Sequence, residues 1–178
     1  MHHYQDLIEI FRSCFFEKYN TLLVKGDDEP IYLPADEERS HHLIVFAHGF
    51  FASALHECSH WLIAGEQRRK LVDFGYWYAP DGRTSEQQSL FQQVEVKPQA
   101  LEWILSKAAG YRFRVSLDNL NGEPIDSSAF KKAVYDQVHI YCKNGLSERS
   151  QTLFQALSRF YSTDQTLKIE NFDLAELD

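Results

Sequence analysis

The pentapeptide His56-Glu57-Cys58-Ser59-His60 constrains this chain more than any other stretch of its sequence. On an α-helix, residues at i and i+4 lie on one face, so both imidazoles can bind a single metal ion. Apolar residues flank the pentapeptide on both sides, and Gly65 follows as a helix stop. The pattern therefore predicts a buried helix over about residues 51–64 that carries a metal-binding pair. Two buried histidines bonded only to backbone are the simpler alternative.

The composition is that of a folded domain, with 44% hydrophobic and 14% aromatic residues in a chain of 178. A chain of this length can bury one substantial core. The formal net charge of −8 argues against a nucleic-acid partner, because phosphate recognition needs a cationic surface. An acidic surface favours a cationic substrate, although such charge can also serve solubility alone.

The three cysteines, Cys14, Cys58 and Cys142, are widely spaced and form no C-x-x-C motif. Neither a disulfide framework nor a zinc ribbon is expected, and reduced thiols are typical of the cytosol. Residues 1–4 lack the features of a signal peptide. The longest apolar run, residues 43–55, is interrupted by polar residues and glycine, and it is too short to span a bilayer. We therefore expect a cytoplasmic protein without a membrane partner.

Hydrophobic periodicity predicts an α+β fold, a single compact domain that is mostly helical with a small sheet and has the metal site on its central helix. Besides that helix, helices are predicted over about 3–18, from Ser85 to Gly110, from Ser127 or Ser128 to Asn144-Gly145, and around 153–160. Strands are predicted over 21–24, 31–33, 43–47, 72–78 and 113–117, with turns at 79–82 and 119–124.

Two further features concern the helix that begins near Ser85. Thr84 and Gln87 are spaced as a capping box, whereas Pro98 predicts either a kink or the start of a new helix. The domain is expected to cover residues 1–178, and its acidic tail after about residue 163 is expected to be loosely held.

Two histidines need a third protein ligand to form a catalytic metal site. Glu95 is the preferred candidate because valines flank it, and a buried carboxylate is costly unless a cation compensates it. Glu102 is the nearest rival, and weaker candidates are Asp73 and His48. The alternative for Glu95 is an ordinary salt bridge, for example to Lys97 or Arg69.

Two His and one Glu suit two chemistries. With zinc, Glu57 would be the general base of a metallopeptidase. With iron(II), the same three ligands form a facial triad that leaves positions open for dioxygen. The spacing alone does not choose between them. A structural metal fits poorly, since structural zinc sites usually have four protein ligands that include cysteine.

Longer strings closely resemble the bacterial elongation factor P hydroxylase family. The similarity runs in order through most of residues 2–145, and it is carried by the segments 23–36, 45–50, 56–61, 72–78, 94–101 and 109–111. Examples are Val45-Phe46-Ala47-His48-Gly49-Phe50 and Val94-Glu95-Val96-Lys97-Pro98-Gln99-Ala100-Leu101. Strings of this length are far more specific than the pentapeptide alone.

The resemblance implies a cytosolic, metal-dependent monooxygenase that hydroxylates a lysine of elongation factor P already extended with a β-lysyl group. It implies a 2-His-1-carboxylate site that maps onto His56, His60 and Glu95. Iron(II) is then the preferred metal, zinc the alternative and molecular oxygen the cosubstrate. Glu57 would lie beside the ligands or act as a proton shuttle. Acids that could meet the cationic lysyl arm are Asp73, Asp81 and Asp118.

Overall fold

Helices pack around a small sheet in the computed structural model, which describes residues 1–27, 29–76, 84–117 and 127–178. Five α-helices and one three-stranded sheet lie within these residues, which confirms the α+β class. None of the described helices is long and apolar enough to cross a membrane. The turns predicted at 79–82 and 119–124, together with Asp81 and Asp118, lie outside the described residues.

The first helix and the sheet form the N-terminal part of the fold. Helix α1 spans Tyr4–Tyr19, and the left-handed Asn20 (φ 48°) ends it and leads directly into the first strand. The strands are β1 (Thr21–Lys25), β2 (Ile31–Leu33) and β3 (His42–Phe46). Strand β3 lies in the centre, parallel to β1 and antiparallel to β2. All four elements agree with the sequence prediction to within about a residue.

Helix α2, Phe51–Ile63, carries the pentapeptide. It begins directly after His48 and Gly49, which both have positive φ angles (56° and 68°) and turn the chain out of β3. Its fully buried residues lie on one face that covers less than half of its circumference, and they are Phe51, Ala54, Leu55, Cys58, Ser59, Trp61 and Leu62. The other residues of α2, which include both histidines, are half-buried and none is exposed, which confirms the buried helix predicted at this position.

Helix α3, Ser85–Ala109, is the longest element. The predicted capping box is present at its start, because Thr84 Oγ1 accepts from Gln87 N and Gln87 Oε1 accepts from Thr84 N. The left-handed Gly110 (φ 65°) ends it as predicted. Pro98 lies inside the helix, and no new helix begins there. The helix packs against α2 and against both helices that follow it, and this packing offsets the backbone hydrogen bond that proline removes.

The predicted strand over 72–78 is wrong for the residues that the structure describes. Val72–Gly75 form a short 3₁₀ turn in which Asp73 and Phe74 have positive φ angles (47° and 57°). The aromatic residue that suggested a strand is buried by a ring stack instead, with 4.3 Å between the Phe74 and Tyr32 centroids. The Tyr32 N–H donates to Asp73 Oδ1 at 2.8 Å, so a side chain satisfies this backbone group of β2.

The predicted strand over 113–117 is also wrong, because these residues pair with no strand within the described chain. Their backbone bonds instead to glutamine side chains of α3. Gln99 Nε2 donates to Ser116 O at 2.7 Å, and Ser116 N donates to Gln99 Oε1 at 3.1 Å. Gln88 Nε2 donates to Leu117 O at 3.0 Å. The alternation of apolar residues thus reflects an extended segment that lies along a helix.

The last two helices support α2 and α3 from outside. Helix α4 spans Ser128–Asn144 and helix α5 spans Glu148–Phe160, both as predicted. Arg149 of α5 binds the C-terminal end of α2, donating to Trp61 O at 2.9 Å and to Ala64 O at 2.7 Å. Its guanidinium lies 4.5 Å from the centre of the Trp61 ring. A cation at this end stabilises the orphan carbonyls of the helix that carries the histidines.

The tail after residue 163, expected from its composition to be loosely held, makes specific contacts with the helices. Phe172 is buried edge-on against Trp103, with ring centroids 5.2 Å apart. Leu177 is also buried. Ion pairs from Lys107 and Lys131 reach the last turn, at Glu176 and Asp178. Two apolar anchors, which the acidic composition conceals, therefore hold this segment against α3 and α4.

Candidate metal centre

Helix α2 presents His56 and His60 side by side on one face. The two Nε2 atoms lie 3.0 Å apart, and the ring planes are nearly perpendicular. Both side chains are mostly buried, with exposed fractions of 20% and 12%. The i, i+4 spacing of the pentapeptide produces this arrangement, as the sequence predicts.

Glu95 reaches the two histidines from α3. Its Oε1 lies 3.2 Å from His60 Nε2 and its Oε2 lies 3.4 Å from His56 Nε2. The side chain is buried, and Oε1 has no hydrogen-bond donor within the described chain. The alternative for Glu95, a salt bridge to Lys97 or Arg69, is not formed among the described residues, since Lys97 is exposed and Arg69 donates to Ala64 O.

The three side chains fit a divalent metal ion. One ligand atom of each lies within 4.8 Å of the others, and no other such group of His, Cys, Asp or Glu occurs in the described part of the chain. Lone pairs of two imidazoles and one carboxylate converge here in a buried position, and a cation is what compensates such a set. Nitrogen and carboxylate donors suit iron(II) and zinc alike.

The charges around the histidines favour a positive charge between them. Burial by itself would lower the pKa of His56, but the hydrogen bond to Glu102 and the nearby acids raise that pKa well above its usual value. Burial would raise the pKa of Glu95, yet His60 and His56 lower it to about 2. Burial raises the pKa of Glu102, with the histidines acting against it. A site built in this way attracts a cation.

Glu57, the candidate catalytic residue, follows His56 on α2 and is partly buried. Burial raises the pKa of its carboxyl group, the two histidines lower it, and Glu95 and Asp73 raise it further. These influences place Glu57 in the same electrostatic environment as the three candidate ligands. Glu57 is not part of the candidate metal-binding group, which comprises His56, His60 and Glu95.

The rivals for the third ligand occupy other positions. Glu102 accepts a hydrogen bond from the far side of the His56 ring, with 2.8 Å between Oε2 and Nδ1. Asp73 Oδ1 is engaged by the Tyr32 N–H. His48 is exposed at the turn before α2. None of these three belongs to the metal-binding group found among the described residues.

Sequence reasoning missed Gln99, which lies between the two acids of α3. It is buried, and its Nε2 lies 3.5 Å from Glu95 Oε2 while the same amide binds the backbone of Ser116. The signal was present in the sequence. Glu95, Gln99 and Glu102 follow one another at i, i+4 and i+7, which places three polar side chains on one helix face.

A cavity of about 780 Å³ opens beside His60. Its lining comes from α2, the segment 64–68, residues 74 and 76, and α3. Apolar and polar residues both line it, the apolar ones including Ile63, Phe74, Leu90, Val94 and Pro98 and the charged ones being Glu66, Arg68 and Lys97. Arg68 closes one side, with its guanidinium 4.1 Å from the centre of the Tyr76 ring. A long aliphatic side chain could reach the candidate metal centre through this cavity.

Similarity to known proteins extends over nearly the whole chain. The sequence model of the family described as "Elongation factor P hydroxylase" matches residues 10–172. The "Elongation factor P lysine hydroxylase" of Haemophilus influenzae is 59% identical over 173 residues, which cover 97% of this chain and 97% of the relative. The matched region includes α2, α3 and all three candidate ligands. The chain therefore belongs to the elongation factor P hydroxylase family.

Proposed function

We propose that this chain hydroxylates a lysine of elongation factor P that already carries a β-lysyl group. The near-full-length similarity to a relative named as an elongation factor P lysine hydroxylase carries this proposal. An identity of 59% over 97% of both chains is high enough to indicate that the two proteins share one fold. The three free cysteines suit a reducing compartment, and we place the reaction in the cytoplasm.

We further propose that His56, His60 and Glu95 hold one iron(II) ion. The convergence of three buried ligand atoms supports a metal, and two imidazoles with one carboxylate are the ligand set of non-haem iron oxygenases. When bound, such an ion supplies the activation of dioxygen that a monooxygenase needs to place an oxygen atom on an unactivated C–H bond. The proteins of this chain's family would then be metal-dependent monooxygenases.

The residues around the cavity would bind and shield the substrate arm. Its apolar lining residues suit the methylene groups of a lysine extended by β-lysine, Glu66 is an acid beside them, and Phe74 and Tyr76 would limit access of water. The net charge of −8 favours the approach of a cationic arm. No nucleic acid or membrane surface is needed for this reaction.

The alternative is a zinc peptidase, which the pentapeptide and Glu57 favour. The metal content of protein purified without oxygen separates the two possibilities. We expect one iron per chain. Zinc that persists after expression in iron-rich medium would favour the peptidase.

Replacement of Glu57 by glutamine tests the same choice through activity. In a peptidase, Glu57 would deprotonate the attacking water, so the variant would lose several orders of magnitude in rate while keeping zinc. In the hydroxylase no water attacks a carbonyl. We therefore expect Glu57→Gln to keep a full equivalent of metal and to lose at most about 100-fold in hydroxylation rate, the lower end of what a proton-transfer group contributes.

The matched control is Glu9→Gln, which neutralises an exposed carboxylate on α1. It should hydroxylate at the wild-type rate. Cleavage of peptide bonds by the wild type that disappears in Glu57→Gln would overturn the proposed function.

A further inference from the structure

The hydrogen bond between Glu102 and His56 lies behind the candidate metal centre. Glu102 Oε2 and His56 Nδ1 are 2.8 Å apart, and Glu102 is only 7% exposed. A buried carboxylate is costly unless it is paired or hydrogen-bonded. His56 is the hydrogen-bond partner that the described structure provides for it. Glu102 is thus a buried acid whose described hydrogen bond goes to one imidazole nitrogen.

This contact determines which nitrogen of His56 faces the other ligands. A neutral imidazole carries one N–H, and an ionised carboxylate can only accept a hydrogen bond. A His56 that binds a metal ion through Nε2 keeps one N–H, at Nδ1, and Glu102 lies where it can accept that N–H. Nε2 is the atom that lies 3.0 Å from His60 Nε2 and 3.4 Å from Glu95 Oε2.

Helix α3 supplies both acids of the site. Glu95 and Glu102 are seven residues apart, about two turns, and therefore point to the same side some 10 Å apart along the axis. Glu95 reaches the side of the histidines where their Nε2 atoms meet, whereas Glu102 reaches the opposite edge of His56. Helix α3 thus positions both Glu95, a candidate ligand, and Glu102, the hydrogen-bond partner of the candidate ligand His56.

We propose that Glu102 is a positioning residue, which holds His56 as the Nδ1–H tautomer in the orientation that directs Nε2 toward the metal. This role presupposes the metal site of the proposed function but not the identity of the protein substrate. Carboxylate partners of metal-bound histidines in other proteins fix the tautomer and strengthen the ligand in this way.

The first test measures binding of zinc alone to the metal-free protein, by competition with a chromophoric chelator. We expect Glu102→Ala to weaken zinc binding by about 10- to 100-fold, the usual effect of losing such a partner. Glu102→Gln should weaken zinc binding several-fold less than Glu102→Ala does, because an amide oxygen can still accept from Nδ1–H. Ser106→Ala, which removes a buried polar group one turn further along the same helix, is the control and should bind zinc as wild type does.

The second readout is the Nδ1–H proton of His56 in the zinc-loaded protein, observed by nitrogen-edited NMR. It should exchange slowly in wild type and in Glu102→Gln, and rapidly in Glu102→Ala. Should Glu102→Ala fail to fold, Glu102→Asp takes its place, because it keeps the charge but withdraws the oxygen by one methylene group.

Two results would overturn the positioning role. One is zinc binding within about twofold of wild type in Glu102→Ala together with a slowly exchanging Nδ1–H. The other is equal weakening by Glu102→Gln and Glu102→Ala, which would indicate that the carboxylate binds the metal itself. Both measurements use zinc and no elongation factor P, so a wild type that binds zinc but hydroxylates nothing would contradict the proposed function and leave the role of Glu102 intact.

Discussion

Replacement of His56 or His60 by alanine is expected to abolish stoichiometric metal binding and hydroxylation. Each substitution removes one of three convergent ligand atoms, and the two that remain cannot form a facial triad. The fold should persist, because α2 keeps its buried apolar residues and the Arg149 contacts at its end. Elemental analysis after dialysis checks the loss of bound metal. Mass spectrometry of elongation factor P after incubation checks the loss of hydroxylation.

Both variants should be less stable than wild type in the metal-free state. His56→Ala leaves the buried Glu102 without its imidazole, and His60→Ala removes the histidine that contributes most to the low pKa of the buried Glu95. Leaving a buried polar group without its partner costs about 1–3 kcal/mol, and more if the group is charged. Urea denaturation of the metal-free proteins should therefore place both variants below wild type. His139→Ala, at an exposed position of α4, is the control for both. A full equivalent of tightly bound metal in either α2 variant would show that the assignment is wrong.

Glu95→Gln is expected to have the second large effect. The substitution keeps the shape of the side chain and an oxygen that can accept from Gln99, but it removes the anionic charge between the histidines. A facial triad needs that carboxylate. Metal affinity should fall by more than the roughly 10- to 100-fold that follows loss of an outer partner, and hydroxylation should be lost.

Glu102→Gln is the matched comparison, since it makes the same chemical change seven residues further along the same helix. If Glu95→Gln and Glu102→Gln lost metal affinity equally, the assignment of Glu95 as a ligand and of Glu102 as the hydrogen-bond partner of a ligand would be wrong. Hydroxylation at the wild-type rate by Glu95→Gln would mean that the carboxylate comes from elsewhere, with Glu102 or Asp73 next to be examined.

Local patterns were sufficient to predict the parts of the site that lie on one helix. The i, i+4 spacing of His56 and His60 fixes their common face in any α-helix. The capping box at Thr84 and the left-handed Gly110 delimit α3 through interactions within a few residues. The burial of Glu95 could be predicted because the valines on both sides of it suggest an inward-facing position.

Features that depend on distant partners were not predictable in the same way. Aromatic residues suggested a strand at 72–78, and alternation of apolar residues suggested one at 113–117. Neither pattern reveals which groups the backbone bonds to. At the first place the Asp73 side chain accepts from Tyr32 N of β2, and at the second the Gln99 side chain bonds to the backbone of Ser116. The continuity of α3 through Pro98 likewise depends on packing against three other helices.

The most direct test of the central claim is transfer of oxygen to elongation factor P by the purified chain. The protein would be loaded with iron(II) without oxygen, given β-lysylated factor and a reductant, and exposed to isotopically heavy dioxygen. Mass spectrometry should find one heavy oxygen atom on the modified lysine with wild type, and none with Glu95→Gln. Absence of the added atom with iron-loaded wild type, or oxygen derived from water, would contradict the account.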